Sequence, residues 1–326
     1  MLRLVLLVLC LASLPGCYYM QAAKGQWELT RKREPIDEVL NRDDVSPELK
    51  ARLRLVQQAR QFAVDELGLP DNDTYRTYAD IERDYVVWNV FAAPEFSLQP
   101  KTWCFPVAGC VSYRGYFAED RAEREAQRLA EKGFDVATGG VAAYSTLGKL
   151  KDPVLNTMMN WDDVRLVSVL FHELAHQVLY VKGDTGFNES FATAVEEFGV
   201  VRWLAARGQT ADIDTYMARR ELRQALMGLV AAARSELQTI YDSDLDDEHK
   251  RARKQQRLGA LADDVAAMLE KNGRAPGNGL GGELNNARLV SMTLYEGKLA
   301  EFRALFDKCA QQFECFYKEA ASLAGR

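Results

Sequence analysis

Excess positive charge, long apolar runs and flexible linkers are all scarce in this chain of 326 residues. Its 41 lysines and arginines are outnumbered by 47 aspartates and glutamates, which gives a formal net charge of −6 and argues against nucleic acid as a partner. Beyond the amino-terminal segment, no apolar run approaches the length of a membrane span. No Pro/Gly/Ser-rich linker or internal repeat divides the chain. We therefore predict one domain over residues 17–326, with a sheet-containing part at 17–161 and a helical part at 162–326.

Cysteine is also sparse, and its spacing argues against a common kind of zinc site. The chain has six cysteines and no closely spaced Cys-x-x-Cys pair, so a zinc ribbon is disfavoured. Four of them form two Cys-x5-Cys pairs, Cys104 with Cys110 and Cys309 with Cys315. Local disulfides within each pair are favoured over crossed connectivity and indicate an oxidising compartment. The second pair lies in a helical stretch and requires a break near residues 311–313.

The amino terminus has the features of an export signal. An apolar run at residues 4–11 is too short to span a bilayer, and it is followed by LPGC at 14–17. The end of this segment resembles a lipobox, so we predict a signal peptide over residues 1–16 and lipid attachment at Cys17, with simple secretion as the alternative. The next residue is not the aspartate associated with inner-membrane retention. We therefore expect a bacterial cell-envelope protein, lipid-anchored in the outer membrane and facing the periplasm.

Histidine occurs three times in the chain, and two of the three flank a glutamate in the segment HELAH. On a helix, His172 and His176 lie one turn apart on the same face and can hold one Zn²⁺. Glu173 then reaches a water activated by the metal and acts as the general base. Aspartates before the segment and a nearly continuous apolar run around it predict that HELAH lies on a buried helix.

A catalytic zinc usually has three protein ligands, and Glu189 is the predicted third. It follows the turn-rich segment KGDTG and opens a second predicted helix, with Asn188 as the N-cap. Glu196 is predicted to orient one of the two histidines by accepting a hydrogen bond from its other ring N–H. Glu196 and Glu197 are also the alternative third ligands.

These motifs resemble those of the gluzincin metallopeptidases. In that family, the first glutamate of a downstream NExxA segment completes a His, His, Glu zinc site, and NESFA matches it here. Twelve residues separate His176 from Glu189, fewer than in thermolysin-like or aminopeptidase N-like members, which suits two directly linked antiparallel helices. More closely, the chain is similar to bacterial lipoproteins described as predicted aminopeptidases, in the segments YYMQAAKGQ, HELAHQVLYVKGDTGFNESFA, DDEHKRARK and LNNARL. The resemblance implies a zincin-like fold, one bound Zn²⁺ and a peptide or protein substrate.

Local patterns predict an α+β protein that is mainly helical, with a small sheet before the HELAH helix. The helices are expected at residues 46–68 and 120–132 and then throughout the chain beyond 162, including 212–240 and 246–271. The strands are expected within 76–92 and 103–117 and at 139–148, and residues 273–282 are expected to form a loop.

The resemblance also implies an edge strand beside the metal that binds the substrate backbone by strand addition. The short strand upstream of HELAH matches this place in chain order. Its predicted substrate-binding residues are Gly140, Val141, Ala142, Ala143 and Tyr144. A purely structural edge strand is the alternative.

A hydrogen-bond donor is needed for the oxyanion that develops during hydrolysis, and gluzincins often use a tyrosine or histidine from a downstream helix. Tyr241 is predicted for this role because it lies just before DDEHKRARK. The alternatives are Tyr180, Tyr295 and His249. His249 lies in a charged run and is predicted to be a solvated surface residue.

The sequence thus predicts a lipid-anchored periplasmic zinc metallopeptidase, in particular an aminopeptidase acting on peptides. An aminopeptidase also needs an acidic group for the α-amine of its substrate, and no GAMEN-like segment supplies one. Glu196, Glu197 and Asp184 are the nearby acids. The alternative function is a zinc-bearing envelope assembly or chaperone factor that binds peptides but seldom cleaves them. The oligomeric state is not predicted.

Overall fold

The computed structural model describes residues 18–105, 109–275, 280, 282–293 and 298–324. The helices are α1 at 18–32, α2 (Ile36–Asn41), α3 (Pro47–Asp65), α4 (Glu119–Ala130), α5 (Asp163–Ala175), α6 (Thr185–Ala206), α7 (Thr210–Tyr241), α8 (Asp247–Lys271), α9 (Asn286–Thr293), α10 (Leu299–Lys308) and α11 (Phe313–Ala324). The strands are β1 (Arg33–Pro35), β2 (Thr77–Ala79), β3 (Val87–Pro94), β4 (Trp103–Phe105), β5 (Gly109–Val111), β6 (Arg114–Tyr116), β7 (Phe134–Val141) and β8 (Val154–Leu155).

The prediction of a mainly helical α+β protein with its strands before the HELAH helix is confirmed. All the described strands precede α5, and the described elements after it are helices. The two longer predicted strand regions break into several short strands. The strand predicted at 139–148 instead spans Phe134–Val141, because those residues pair in register with β3. Residues 142–145 leave the ladder and line a cavity described below.

The strands form three small sheets. One has the order β1-β2-β8, with β1 antiparallel and β8 parallel to β2. The second has the order β6-β3-β7 and is antiparallel, so β7 lies at its edge. The third is the β4–β5 hairpin. Helices α4 and α9 pack against β7 of the second sheet.

The main hydrophobic core surrounds α5 and α6. Phe171 on α5 and Phe191 on α6 are fully buried, and Phe191 packs against Phe302 and Phe316 of the last two helices. On the other side, Leu53 of α3 belongs to the same core. Apolar side chains thus enclose the two helices that carry the HELAH and NESFA segments, which limits their relative motion.

Helices α7 and α8 pack against each other around a second, smaller core. Leu237 on α7 and Leu261 on α8 are fully buried within it. Among the described residues, no helix combines the length and the apolar character needed to cross a membrane.

The two predicted local disulfides are at bonding distance. Cys104 is bonded to Cys110 across the β4–β5 hairpin, and Cys309 to Cys315 between α10 and α11. The expected helix break lies inside the second loop, where Ala310 has a positive φ of 49°. Each bond closes a small loop and therefore restricts the unfolded chain.

We expect the paired substitution Cys309→Ala and Cys315→Ala to lower the free energy of unfolding by about 2 kcal/mol, the loop-closure entropy of a short disulfide loop. Urea unfolding of the oxidised proteins measures it, and thiol titration verifies the bonding state. An unchanged unfolding midpoint would show that the bond does not constrain the chain.

Candidate active site

Helix α5 presents the HELAH residues to one cavity. It begins at the N-cap Asp162, whose side chain accepts a hydrogen bond from the backbone N–H of Arg165 at 2.8 Å. It ends with His176 as the C-cap residue. Leu170 and Leu174 are buried in the main core, while His172, Glu173 and His176 line the cavity. The apolar residues of α5 therefore fix which way the two histidines face.

The connection from α5 to α6 is held by Asn188, but not as the predicted N-cap. Asp184 is the N-cap of α6 and accepts from the backbone N–H of Phe187 at 2.9 Å. Asn188 lies one turn into the helix, and its side chain accepts from the N–H of Val181 at 2.7 Å and donates to the carbonyl of Val181 at 2.8 Å. This buried amide ties the loop to α6 immediately before Glu189.

Glu189 lies against both histidines. One of its carboxylate oxygens is 3.2 Å from Nε2 of His172 and 3.7 Å from Nε2 of His176. The ligand atoms of the three residues all lie within 4.8 Å of one another. Tetrahedral zinc with bonds of about 2.1 Å separates its ligand atoms by about 3.4 Å. The donor types and their spacing therefore fit zinc.

The carboxylates next to this triad have different partners. Nδ1 of His172 lies 3.2 Å from Glu196, the arrangement that orients a metal-binding imidazole. Nδ1 of His176 is buried and has no hydrogen-bond partner among the described residues. Glu197 is buried and forms ion pairs with Arg220 at 3.1 Å and with Arg303 at 2.8 Å. Glu197 is therefore occupied by its two ion pairs, whereas Glu196 lies beside the triad of His172, His176 and Glu189.

Without metal, the cluster holds a proton. Burial alone would lower the pKa of His172, but hydrogen bonds and charge from Glu189 and Glu196 outweigh it and raise the pKa to about 10. Burial alone would raise the pKa of Glu189, but His172 and His176 lower it to about 2. Because the pKa of His172 is raised on folding, its contribution to the stability of the folded protein is complete below about pH 6.5 and is lost towards pH 10. Because the pKa of Glu189 is lowered on folding, its contribution to the stability of the folded protein is present above about pH 4.5 and is lost towards pH 2.

Glu173 faces the same cavity as the triad. Burial raises its pKa above the ordinary value, and the charges of His172 and His176 oppose that rise. A carboxylate in this setting binds a proton more readily than a solvated glutamate, as a general base must.

The cavity has a volume of about 1300 Å³, enough for several residues of a peptide. The five residues predicted to bind substrate, Gly140, Val141, Ala142, Ala143 and Tyr144, all line it. Gly140 and Val141 are the last two residues of β7, and the other three follow the strand.

The tyrosine predicted for the oxyanion is not brought to this cavity. The hydroxyl of Tyr241 donates to Asn286 at 2.7 Å, and its ring belongs to the second core. Tyr180, one of the alternatives, does line the cavity. His249 is exposed beside Asp246, as expected of a surface residue. Tyr295 lies outside the described residues.

Tyr113 lies between β5 and β6 in the chain and lines the cavity, and the sequence analysis did not identify it. Burial, followed by the charge of Glu189, raises its pKa, so its hydroxyl stays protonated near neutral pH. The disulfide hairpin that precedes Tyr113 packs closely against the α5–α6 connection. A Cβ at Gly109 of this hairpin would lie only 2.7 Å from the side chain of Lys182. The one signal available was the aromatic character of the segment after the Cys-x5-Cys pair.

The chain belongs to the family described as "Putative aminopeptidase", which it matches over residues 17–326. No curated protein and no solved structure matches it.

We expect the metal-free protein to bind one Zn²⁺ and to release about one proton at pH 7, because His172 must lose its proton to become a ligand. Calorimetric titration in buffers of different ionisation enthalpy measures both numbers. Glu196→Gln should keep the stoichiometry but weaken affinity by about 10- to 100-fold and reduce proton release. Full zinc retention in a Glu189→Ala variant would contradict the ligand assignment.

Proposed function

We propose that this protein is a zinc-dependent peptidase of the cell envelope. The observation that carries the proposal is the convergence of His172, His176 and Glu189 beside Glu173, on one wall of a cavity large enough for a peptide. Three nitrogen and oxygen ligands with a general base next to them is the arrangement that zinc hydrolases use, and it matches the family description. A zincin-like fold belongs to the same proposal.

A zinc ion bound there would polarise the scissile carbonyl and acidify water. Glu173 accepts the proton of the attacking water and passes it to the leaving amine. Glu196 holds the ring of His172 in position through Nδ1.

Tyr113 and Tyr180 are the candidate donors to the oxyanion. Both hydroxyls belong to residues that line the cavity, and burial raises the pKa of each, with a further contribution from the charge of Glu189. A phenol that keeps its proton at neutral pH donates a hydrogen bond to the developing negative charge.

The edge of β7 is the candidate site for the substrate backbone. On this edge the carbonyl of Val136 accepts from Asn285, and that of Thr138 accepts from Arg288. Backbone groups of alternate residues point to the same side of a strand, so Gly140 directs its N–H and C=O outward as well. Gly140 is the residue of this series that lines the cavity, which limits strand addition to the end of β7.

The aminopeptidase activity that the family name suggests requires an acid for the α-amine of the substrate. Of the three acids predicted for this role, Glu196 is paired with Nδ1 of His172, and Glu197 is paired with two arginines. Asp184 caps α6 and does not line the cavity. Asp84 is an exposed acid on the cavity wall, and the next residue, Tyr85, has its ring against Gly140. We therefore place the α-amine at Asp84, at the β7 end of the cavity.

The cellular placement rests on the amino-terminal segment and the disulfides. Residues 1–17 lie outside the described structure, so lipid attachment at Cys17 is argued from the lipobox-like sequence. Both disulfides suit the oxidising periplasm.

The amide substitution Glu173→Gln preserves size and helix propensity but removes the base. We expect zinc content and melting temperature near those of the wild type, while turnover falls by about 10²- to 10⁴-fold. Cleavage of a peptide library, followed by mass spectrometry, measures turnover and identifies the cleaved ends.

The matched control is Glu221→Gln, which changes an exposed glutamate of α7 that does not line the cavity. It should leave turnover unchanged. If Glu173→Gln supports the cellular phenotype as well as the wild type does, hydrolysis is not the function, and the alternative of a peptide-binding assembly factor is favoured.

Replacing Cys17 by alanine should move the protein from the membrane fraction to the soluble periplasmic fraction without unfolding it, because the lipid is the expected anchor. Fractionation and palmitate labelling measure the change. Persistent labelling of the variant would contradict the assignment of Cys17.

A further inference from the structure

Six of the described arginines line the catalytic cavity, and four of these lie on α5 and α7. We name those four the arginine stripe: Arg165, Arg219, Arg220 and Arg223. Three of them lie on α7, where Tyr216 also lines the cavity. The spacing of these α7 residues, i, i+3, i+4 and i+7, places them along one face of the helix. Arg165 joins them from the first turn of α5.

The carboxylates paired with the stripe have other partners too. Glu197 is shared by Arg220 and Arg303. Asp162 accepts from Arg219 at 3.1 Å with one oxygen, and its other oxygen caps α5. Asp162 and Glu197 are therefore each divided between an arginine of the stripe and a second partner.

Arg165 is the member best placed to receive a ligand. It is exposed to the cavity, and its guanidinium stacks 4.5 Å from the ring centre of Trp161. Stacking on an aromatic face holds the planar group while leaving its N–H edge available to an acceptor. A carboxylate can bind such an edge through two parallel hydrogen bonds.

The position of Arg165 on α5 sets the distance between a ligand bound there and the predicted metal ligand His172. His172 follows it by seven residues on the same helix, which corresponds to about 10 Å along the helix axis. An extended peptide covers that length in about three residues. The acids of the cavity wall near the metal, Glu173, Glu189 and Glu196, lie at the other end of this span.

We propose that the arginine stripe binds a carboxylate of the peptide substrate about three residues from the scissile bond. The substrates are then short peptides with a free carboxyl terminus, or peptides with an acidic side chain at that position. This proposal rests on the peptidase function above and adds the substrate class to it.

The test measures binding separately from cleavage. Zinc-loaded Glu173→Gln protein is titrated with a tetra-alanine peptide carrying a free carboxyl terminus, with the same peptide amidated, and with an amidated peptide whose last residue is glutamate. We expect the amidated tetra-alanine to bind at least about tenfold more weakly, as expected for loss of a charge-assisted hydrogen bond. Recovery by the glutamate peptide would assign the site to a side-chain carboxylate, and no recovery would assign it to the chain terminus.

Arg165→Gln in the same background should abolish the preference for the free acid. The control Arg253→Gln changes an exposed arginine of α8 outside the cavity and should keep it. If Arg165→Gln does not fold, Arg219→Gln and the salt dependence of binding replace it. The preference should then shrink as the salt concentration rises.

Equal binding of the acid and the amidated peptides would overturn the proposal, as would an unchanged preference in the folded arginine variants. In either case, cleavage of both peptides by the wild type would leave the peptidase function standing. A preference for the acid without cleavage would instead refute the peptidase function and retain the anion site. Failure of all three peptides to bind would count against both.

Discussion

The packing of Glu189 against the imidazoles of His172, which is half-buried, and His176, which is buried, is the contact on which the rest of the site depends. Glu173 and Glu196 lie beside the same histidines, so three carboxylates share one enclosed volume. Such a group is stable only when positive charge is present within a few ångströms, because burial penalises unpaired anions. A proton on His172 provides one such charge, and a divalent cation would provide two. A metal ion would therefore compete more strongly with this proton as the pH rises.

That contact requires α5 and α6 to meet at a fixed separation after a short connection. The phenylalanines of the main core pack the two helices together, and Asn188 fastens the loop through two hydrogen bonds to Val181. This buried amide satisfies both the N–H and the C=O of Val181, so the short connection needs no further residues to pair these backbone groups. The hairpin closed by Cys104 and Cys110 then covers the loop from outside, at a distance of approach that requires Gly109. The contacts that keep the α5–α6 connection compact therefore also position Glu189.

The parts of the molecule that could be predicted from sequence are those with local causes. Ser46 and Asp162 begin α3 and α5 as N-caps, and apolar periodicity oriented α5, so the approach of His172 and His176 followed. Asn188 was misassigned because capping and loop-fastening use the same side chain, and only the packing of α6 decides between them. Tyr241 and Tyr113 depend on long-range contacts, with Asn286 and with the wall of the cavity, that no local pattern records. The strand β7 began earlier than expected because pairing with β3, rather than composition, set its start.

Arg165 and the acidic cluster around His172 lie about two helical turns apart along α5, and this separation bears on the chemistry. Glu173, Glu189 and Glu196 lie with His172 and His176 on the cavity wall, whereas the arginine stripe is carried by α7 and the start of α5. In a partly enclosed space of low effective dielectric constant, such an arrangement orients a dipolar ligand more strongly than the same charges would in water. A peptide whose amine lies at Asp84 and whose carboxylate lies at Arg165 is aligned with this field, and the reversed peptide is opposed by it. Orientation of the substrate across the general base can therefore come from the field of the cavity as well as from backbone pairing with β7, which by itself does not distinguish between side-chain sequences.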